Sequence, residues 1–533
     1  MGLTDEIYIK MNSRGKPLTL FEHFKAEFER NLKVIDEKTG RTLTNHIISN
    51  IDRKWTDLLW RYRNGNTGDE DDNIIDDEFL RYFKFVCDII CYRNGESPQG
   101  YSSDVFDLLQ QYFSPETHDV VTNVETLVKF FDCWCDIKGY DNPTLFLQSF
   151  MSYKHEFGKI VVDSGDINIF EDCIHTYSDK TGKLRQFPLN RIVLLYAITQ
   201  YLQNQNIVSY EEFVRRIRIV NNLIQNSKDE ISDRLDRNRI PAILLAVDSI
   251  IVSGTFDDSI DNNFNVNQIE EEKQKVEYLN SYPSKVDELF ELEDHDMLKG
   301  QISIIGLENL QYGKRFASLF TCSWDKIDCA LMTIGNYGQQ ERNKWRYQYA
   351  SKGNKVAWED LFHKSANIGF DNTRNVLLAL LKTNDMFSDD ILDDIVEKYI
   401  DNCEANNVFP WNYYYVKYEV FRPGKYGKMS NPDWDTKPYL YSVMQTKTQV
   451  SQNTYMPYLK EVDNPENEHL SKDSLGQQLV FSDRYIICDN DSFIVKRNED
   501  SSILEILEIS QNEDKIDLEN RIKKLKTYVE KIV

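Results

Sequence analysis

Long apolar runs are missing from this sequence of 533 residues. The longest, which starts at Ile240, is interrupted by Asp248 and falls short of the roughly 18 residues a membrane helix requires. The first residues lack the apolar core of a secretory signal. The expectation is a cytoplasmic chain with no membrane partner. Cys-x-x-Cys pairs are also missing. Nine cysteines are present, but Cys87/Cys91 and Cys133/Cys135 have spacings that disfavour a zinc site. Both pairs lie in apolar, helix-patterned stretches, and the thiols are read as buried and free. There is no Walker loop, Rossmann glycine fingerprint or Ser-His-Asp motif. No catalytic residue, metal ligand or cofactor is therefore assigned within this chain. Basic charge is the minority: 63 Lys and Arg stand against 87 Asp and Glu, a net charge of −24. That balance argues against a generally basic nucleic-acid surface but leaves room for local basic patches.

Aromatic residues make up 12% of the chain, enough for a globular core. The apolar pattern is mostly helical, so the expected fold is mainly α and multi-helical. A small strand-turn-helix is expected at the start and an α+β region at the C-terminus. Residues 1–62 begin with that strand-turn-helix and continue in a helix burying Ile48, Ile51, Trp55, Leu58 and Tyr62. An acidic linker is placed at 63–77, because seven of the ten residues from Asp69 to Glu78 are acidic. A helical domain follows over 78–255. Its stretch from Pro188 is apolar nearly all round and should be central. The stretch from Tyr210 should turn Phe213, Ile217, Val220 and Ile224 inward, with Arg215 and Arg218 off that face. A second helical domain is expected over 268–405, with a helix capped by Ser388. From 408 to 533 Tyr and β-branched residues become frequent, which favours strands. There 478–497 reads as two strands joined across Asp489-Asn490-Asp491, and a final amphipathic helix closes the chain.

The opening segment is the most informative. Ile7 to Met11 alternates like a half-buried strand, and Asn12-Ser13-Arg14-Gly15 reads as a turn. Thr19 and Glu22 have capping-box spacing, and Phe21, Phe24 and Phe28 follow at helical intervals. Asn12, Arg14, Gly15 and Lys16 form a candidate nucleotide- or phosphate-binding turn beside a helix start. This segment resembles the end of the N-terminal domain of GmrSD-type restriction endonucleases. Asn12, Gly15 and Leu18 match the family's Asn-x-x-Gly-x-x-Leu, and Phe24, Lys25 and Ala26 lie on its following helix. The family's Asp-Gly-Gln-Gln-Arg motif belongs upstream of this segment; here only Tyr-Gly-Gln-Gln-Glu-Arg at 337–342 approaches it. None of the eight histidines stands in an HNH context. The resemblance thus implies the C-terminal portion of a bacterial anti-phage restriction protein. It implies NTP and Mg in the complete protein, with a separately encoded N-terminal half or a partner protein. Alone, the chain is expected not to be a complete enzyme.

Two basic, aromatic stretches are candidate nucleic-acid contacts. Residues 340–355 carry five basic residues and one acidic residue, among them Arg342, Lys344 and Arg346. Trp345, Tyr347 and Tyr349 share one face of an extended segment and suit base stacking. Residues 411–441 hold ten aromatics, interleaved with Lys417, Arg422, Lys425, Lys428 and Lys437, and Trp434 is a candidate sensor of a modified base. In each stretch the alternative is an aromatic core under a solvated loop. Glu291, Glu293, Asp294, His295 and Asp296 are read as a solvated acidic face; Asp489, Asp491 and Lys496 faintly resemble a nuclease set, but their spacing is wrong and a hairpin turn explains the aspartates. The leading expectation is nucleic-acid recognition, or coupling to a nucleotide-dependent nuclease. The alternatives are a non-catalytic helical protein-interaction module and a metal-dependent endonuclease.

Overall fold

The computed structural model describes residues 18 to 532, apart from 64–74, 99–103, 155, 157, 163–166, 182–183, 233–238, 257–262, 365–367, 449–453, 464–469 and 472–476. The chain is mainly α with an α+β C-terminal region. It divides between Glu277 and Tyr278 into two compact units.

In the first unit, helix α1 (Leu20–Thr39) starts at the expected capping box. Thr19 donates its N–H to Glu22 Oε2 at 2.8 Å, and Glu22 returns its N–H to Thr19 Oγ1 at 3.2 Å. The helix ends on Gly40 at φ 69°, a left-handed stop that glycine tolerates. Phe24, Phe28, Leu32 and Ile35 are buried. Thr19→Ala is expected to cost about 1 kcal/mol of stability, read as a lowered thermal midpoint. The next helical stretch buries Ile51, Trp55, Leu58 and Tyr62 and half-buries Ile48. A π turn over Ile51–Trp55 interrupts it.

The core of this unit gathers around α2 (Asp76–Arg93), α3 (Val120–Cys135), α4 (Leu189–Asn204) and α5 (Tyr210–Gln225). Trp55 stacks on Phe131 with ring centroids 4.5 Å apart. Helix α4 buries thirteen of its sixteen residues, which suits its apolar circumference. Helix α5 turns Phe213, Ile217, Val220 and Ile224 inward. Arg218 departs from expectation: it is 2% exposed, and its guanidinium donates to the Lys159 carbonyl at 3.1 Å. A long side chain can cross a packed face when a backbone acceptor waits at its end. Cys87, Cys91, Cys133 and Cys135 are free, with Cys135 half-buried. Burial pushes the Cys87 and Cys133 thiols well up, so they stay neutral. Short ladders pair β1 (Met151–Ser152) with β2 (Ile160–Val161) and β3 (Lys180–Thr181) with β4 (Leu184–Arg185).

The second unit sets helices against two antiparallel sheets. Helix α6 (Trp324–Ile334) packs on α7 (Asp389–Asn406), whose Ser388 cap accepts the Ile391 N–H at 3.4 Å. The first sheet runs in the order β5 (Gln339–Gln340), β6 (Arg346–Gln348), β7 (Lys428–Ser430), β8 (Ser442–Met444), β9 (Thr454–Tyr455). Between β6 and β7 the tyrosine-rich run forms not a strand but helix α8 (Trp411–Lys417). Tertiary partners override the strand propensity. The hydroxyls of Tyr413, Tyr414 and Tyr415 donate to Glu404, Asp517 and Asp328, acceptors from three different segments around the helix.

The second sheet is a meander of β10 (Gln478–Val480), β11 (Arg484–Cys488), β12 (Ser492–Arg497) and β13 (Ile503–Glu508). Residues 478–497 thus supply three strands rather than two. Leu479, Ile486, Phe493, Val495 and Leu507 form its buried face, and the last helix, α9 (Arg521–Ile532), adds Ile522 and Leu525 to the same core.

Candidate nucleic-acid interface

Asn12, Arg14, Gly15 and Lys16 lie outside the described residues. The other candidates fall into three places. Residues 341–345 form the tip of the β5–β6 hairpin, which carries Arg342, Lys344 and Trp345 at the surface. Arg346 pairs with Ser430 across β6 and β7, and Asn431 donates its N–H to the Trp345 carbonyl at 2.9 Å. The ladder therefore runs directly into the loop 431–437, which holds Trp434. That loop is fixed by the Asn431 amide donating to the Lys437 carbonyl at 3.0 Å. Trp345 and Trp434 are thereby brought to one end of the sheet, 36% and 40% exposed. Among the described residues no ion pair neutralises Arg342 or Lys344.

Other cations of the same stretches turn inward. Glu341, the single acidic residue of 340–355, takes the Arg346 guanidinium at 3.1 Å and the Lys428 ammonium on its other oxygen. Arg346 also donates to the Thr448 carbonyl at 3.3 Å and lies 5.3 Å from the Trp345 ring centroid, bracing that indole. Tyr347 and Tyr349 are 4% and 0% exposed, so of the expected stacking face only Trp345 reaches solvent. Lys417 is paired with Glu404 and lies over Tyr413. Arg422 is half-buried, donates to the Val416 carbonyl at 3.1 Å and acts electrostatically on Asp328. Lys425 is exposed, but the pairing of Gln348 with Lys428 places it at the opposite end of the ladder from Trp345. The structure thus gathers Arg342, Lys344, Trp345 and Trp434, and separates Lys417, Arg422 and Lys425 from them.

Tyr-Gly-Gln-Gln-Glu-Arg at 337–342 is built into this sheet. Gln339 is fully buried and its amide donates to the Leu361 carbonyl at 2.7 Å. A Cβ on Gly338 would stand 2.4 Å from Tyr349 Cζ, so close packing requires glycine there. The acidic stretch at 291–296 departs from a solvated face: Glu293 and Asp294 are 4% and 9% exposed, and only Asp296 is fully at the surface. Its neighbour Lys299 reaches Glu359 at 3.2 Å. The hairpin reading of Asp489 and Asp491 agrees with their place between β11 and β12. Among the described residues no group of three or more His, Cys, Asp or Glu side chains is placed to hold a metal ion.

Sequence reasoning could not find that Trp345 and Trp434 share one end of the sheet. It arises from pairing two strands that helices separate along the chain. The role of Glu341 was equally hidden, since charge counting shows an excess but not which cations it consumes. Comparison with family models, curated proteins and solved structures finds no match for this chain.

Proposed function

We propose that this chain is the nucleic-acid-engaging part of a GmrSD-type bacterial defence system, acting with nucleotide-dependent cleavage supplied elsewhere in that system. The resemblance of the opening segment, with Asn12 and Gly15, supplies the system. The observation that carries the binding role is the surface cluster of Trp345, Trp434, Arg342 and Lys344 at one end of the five-stranded sheet. Indole faces accept any base by stacking, and unpaired cations beside them meet phosphates. A chain of net charge −24 would bind only where such a patch meets the phosphates directly, and two such cations should make affinity fall with salt at a slope of about −1.4 on single strands.

The test is fluorescence anisotropy with single-stranded and duplex DNA, plain and base-modified. Trp345→Ala is expected to weaken binding by about ten- to a hundredfold, the cost of one stacked base. The double variant Arg342→Glu, Lys344→Glu should weaken it further and flatten the salt dependence. Lys425→Glu, at the far end of the ladder, should leave affinity unchanged. Superimposable curves for the wild type and the tip variants would remove the proposal. A second reading, a non-catalytic protein-interaction module, is favoured by the exposed apolar edge of the four-stranded sheet, at Ile503 and Ile506.

A further inference from the structure

Strand β13 is the edge of the four-stranded sheet, and among the described residues no strand pairs with its outer side. Ile503, Leu504 and Ile506 are 57%, 37% and 49% exposed. By register, Ile487, Ile494 and Ile506 form a row across β11, β12 and β13 on the face away from the core. A sheet face turned to water ordinarily alternates to polar residues, and exposed edges ordinarily carry lysine or proline. The segment Ile503–Glu508 has neither. A bulge where Lys496 faces Ile503 is its only irregularity.

The backbone shows which groups point outward. Ile509 donates its N–H to the Asp491 carbonyl at 2.7 Å. In an antiparallel ladder bonded and non-bonded pairs alternate, so Leu507 and Glu505 direct their amides toward β12. Ile506 and Glu508 then direct theirs away from the sheet.

We propose that this edge pairs antiparallel with the same edge of a second copy of the chain, about a two-fold axis at Ile506. Such an axis, perpendicular to the sheet, matches residues of the same face. Placing Glu505 on it would oppose two carboxylates and leave both amides pointing the wrong way. Placing Ile506 on it lets the two Ile506 residues exchange N–H and carbonyl. It also sets Glu505 opposite Leu507 and Leu504 opposite Glu508, with no like charges facing. The isoleucine row of one sheet then continues into that of its mate.

Charge complementarity supports the same register. On the core side, Glu505 and Leu507 wall a groove of about 540 Å³ together with Lys523, Lys524 and Lys531 of α9 and with Glu519, which pairs with Lys524 at 2.9 Å and leaves Lys523 and Lys531 as the groove's other cations. The mate's Glu505, set against Leu507, enters the neighbourhood of Lys523 and Lys531. The Lys524 ammonium donates to the Glu508 carbonyl, which agrees with that carbonyl pointing away from β12.

Sedimentation equilibrium of the full chain tests this. The expected mass is twice 62.8 kDa. Ile506→Lys sets two ammonium groups across the axis, and Glu505→Lys sets lysine against the lysine groove. Each is expected to raise the dimer dissociation constant at least about tenfold. Both positions are exposed, so the far-ultraviolet circular dichroism spectrum of the folded chain should be unchanged. A monomeric wild type overturns the proposal, as does a dimer that neither variant weakens.

Discussion

Arg521→Ala is expected to cost the C-terminal unit about 3–5 kcal/mol, read as a lower urea midpoint. Arg521 and Asp517 are both fully buried and pair at 2.6 Å. The guanidinium also donates to the Asn490 carbonyl at 2.7 Å. It lies 3.9 Å from the ring centroid of Tyr439 and 4.9 Å from that of Tyr458. Helix α9 is thereby tied to the β11–β12 turn and to the rings of Tyr439 and Tyr458 by one side chain. Removing it leaves the Asp517 carboxylate in the core with only neutral donors, Tyr414 at 3.1 Å and Gln511 at 2.9 Å. The cost is that of an uncompensated buried charge, not of one hydrogen bond. Arg521→Lys keeps the charge but loses the planar fork and its ring contacts, so it should recover only part of the loss.

The second large effect is a pH dependence centred on Asp328. This carboxyl lies inside the core beneath α6, where burial pushes it up to about 7; hydrogen bonds from Tyr337 and Tyr415 and the nearby Arg422 pull the other way. Tyr415 donates to its two oxygens at 2.9 and 2.8 Å, and Tyr337 donates to one of them. The folded value stands above the ordinary 3.8, so the folded state holds its proton longer. Below about pH 4 both states are protonated and no penalty arises. Between about pH 4 and 7 the unfolded chain releases its proton while the folded chain keeps it, so stability falls as pH rises. The loss is complete above about pH 7 and amounts to roughly 4 kcal/mol. Asp328→Asn should remove this slope, leaving the variant less pH-sensitive than the wild type in urea titrations between about pH 4 and 8. Asp88, which burial pushes to about 6 in the first unit, gives a slope of the same sign. The comparison therefore rests on the difference between variant and wild type. Equal slopes would show that Asp328 titrates normally.

Local signals read correctly from the sequence are those with local causes. The Thr19–Glu22 box and the Ser388 cap are decided within four residues, by a side chain and the first free amides of a helix. The all-round apolar pattern of Leu189–Asn204 requires burial on every side, and the helix sits in the core. Readings failed where a side chain's partner lies far along the chain. Arg218 looks like a surface cation until the Lys159 carbonyl meets it. Tyr413 to Tyr415 look like strand until Glu404, Asp517 and Asp328 receive their hydroxyls. Glu293 and Asp294 look solvated and are buried.

The same division holds for the candidate interface. Composition and spacing by themselves determined a mainly helical chain with an α+β C-terminal region, strongly acidic overall, with basic aromatic stretches near 345 and 430. Which of those residues are free was decided by tertiary structure. Glu341 consumes Arg346 and Lys428, the core consumes Tyr347 and Tyr349, and the pairing of β6 with β7 brings Trp345 and Trp434 to one end. The reason is physical: helix caps and periodicity are set by neighbours three or four residues away, whereas the pairing of charges and strands depends on contacts between distant segments that exist only once the chain has folded.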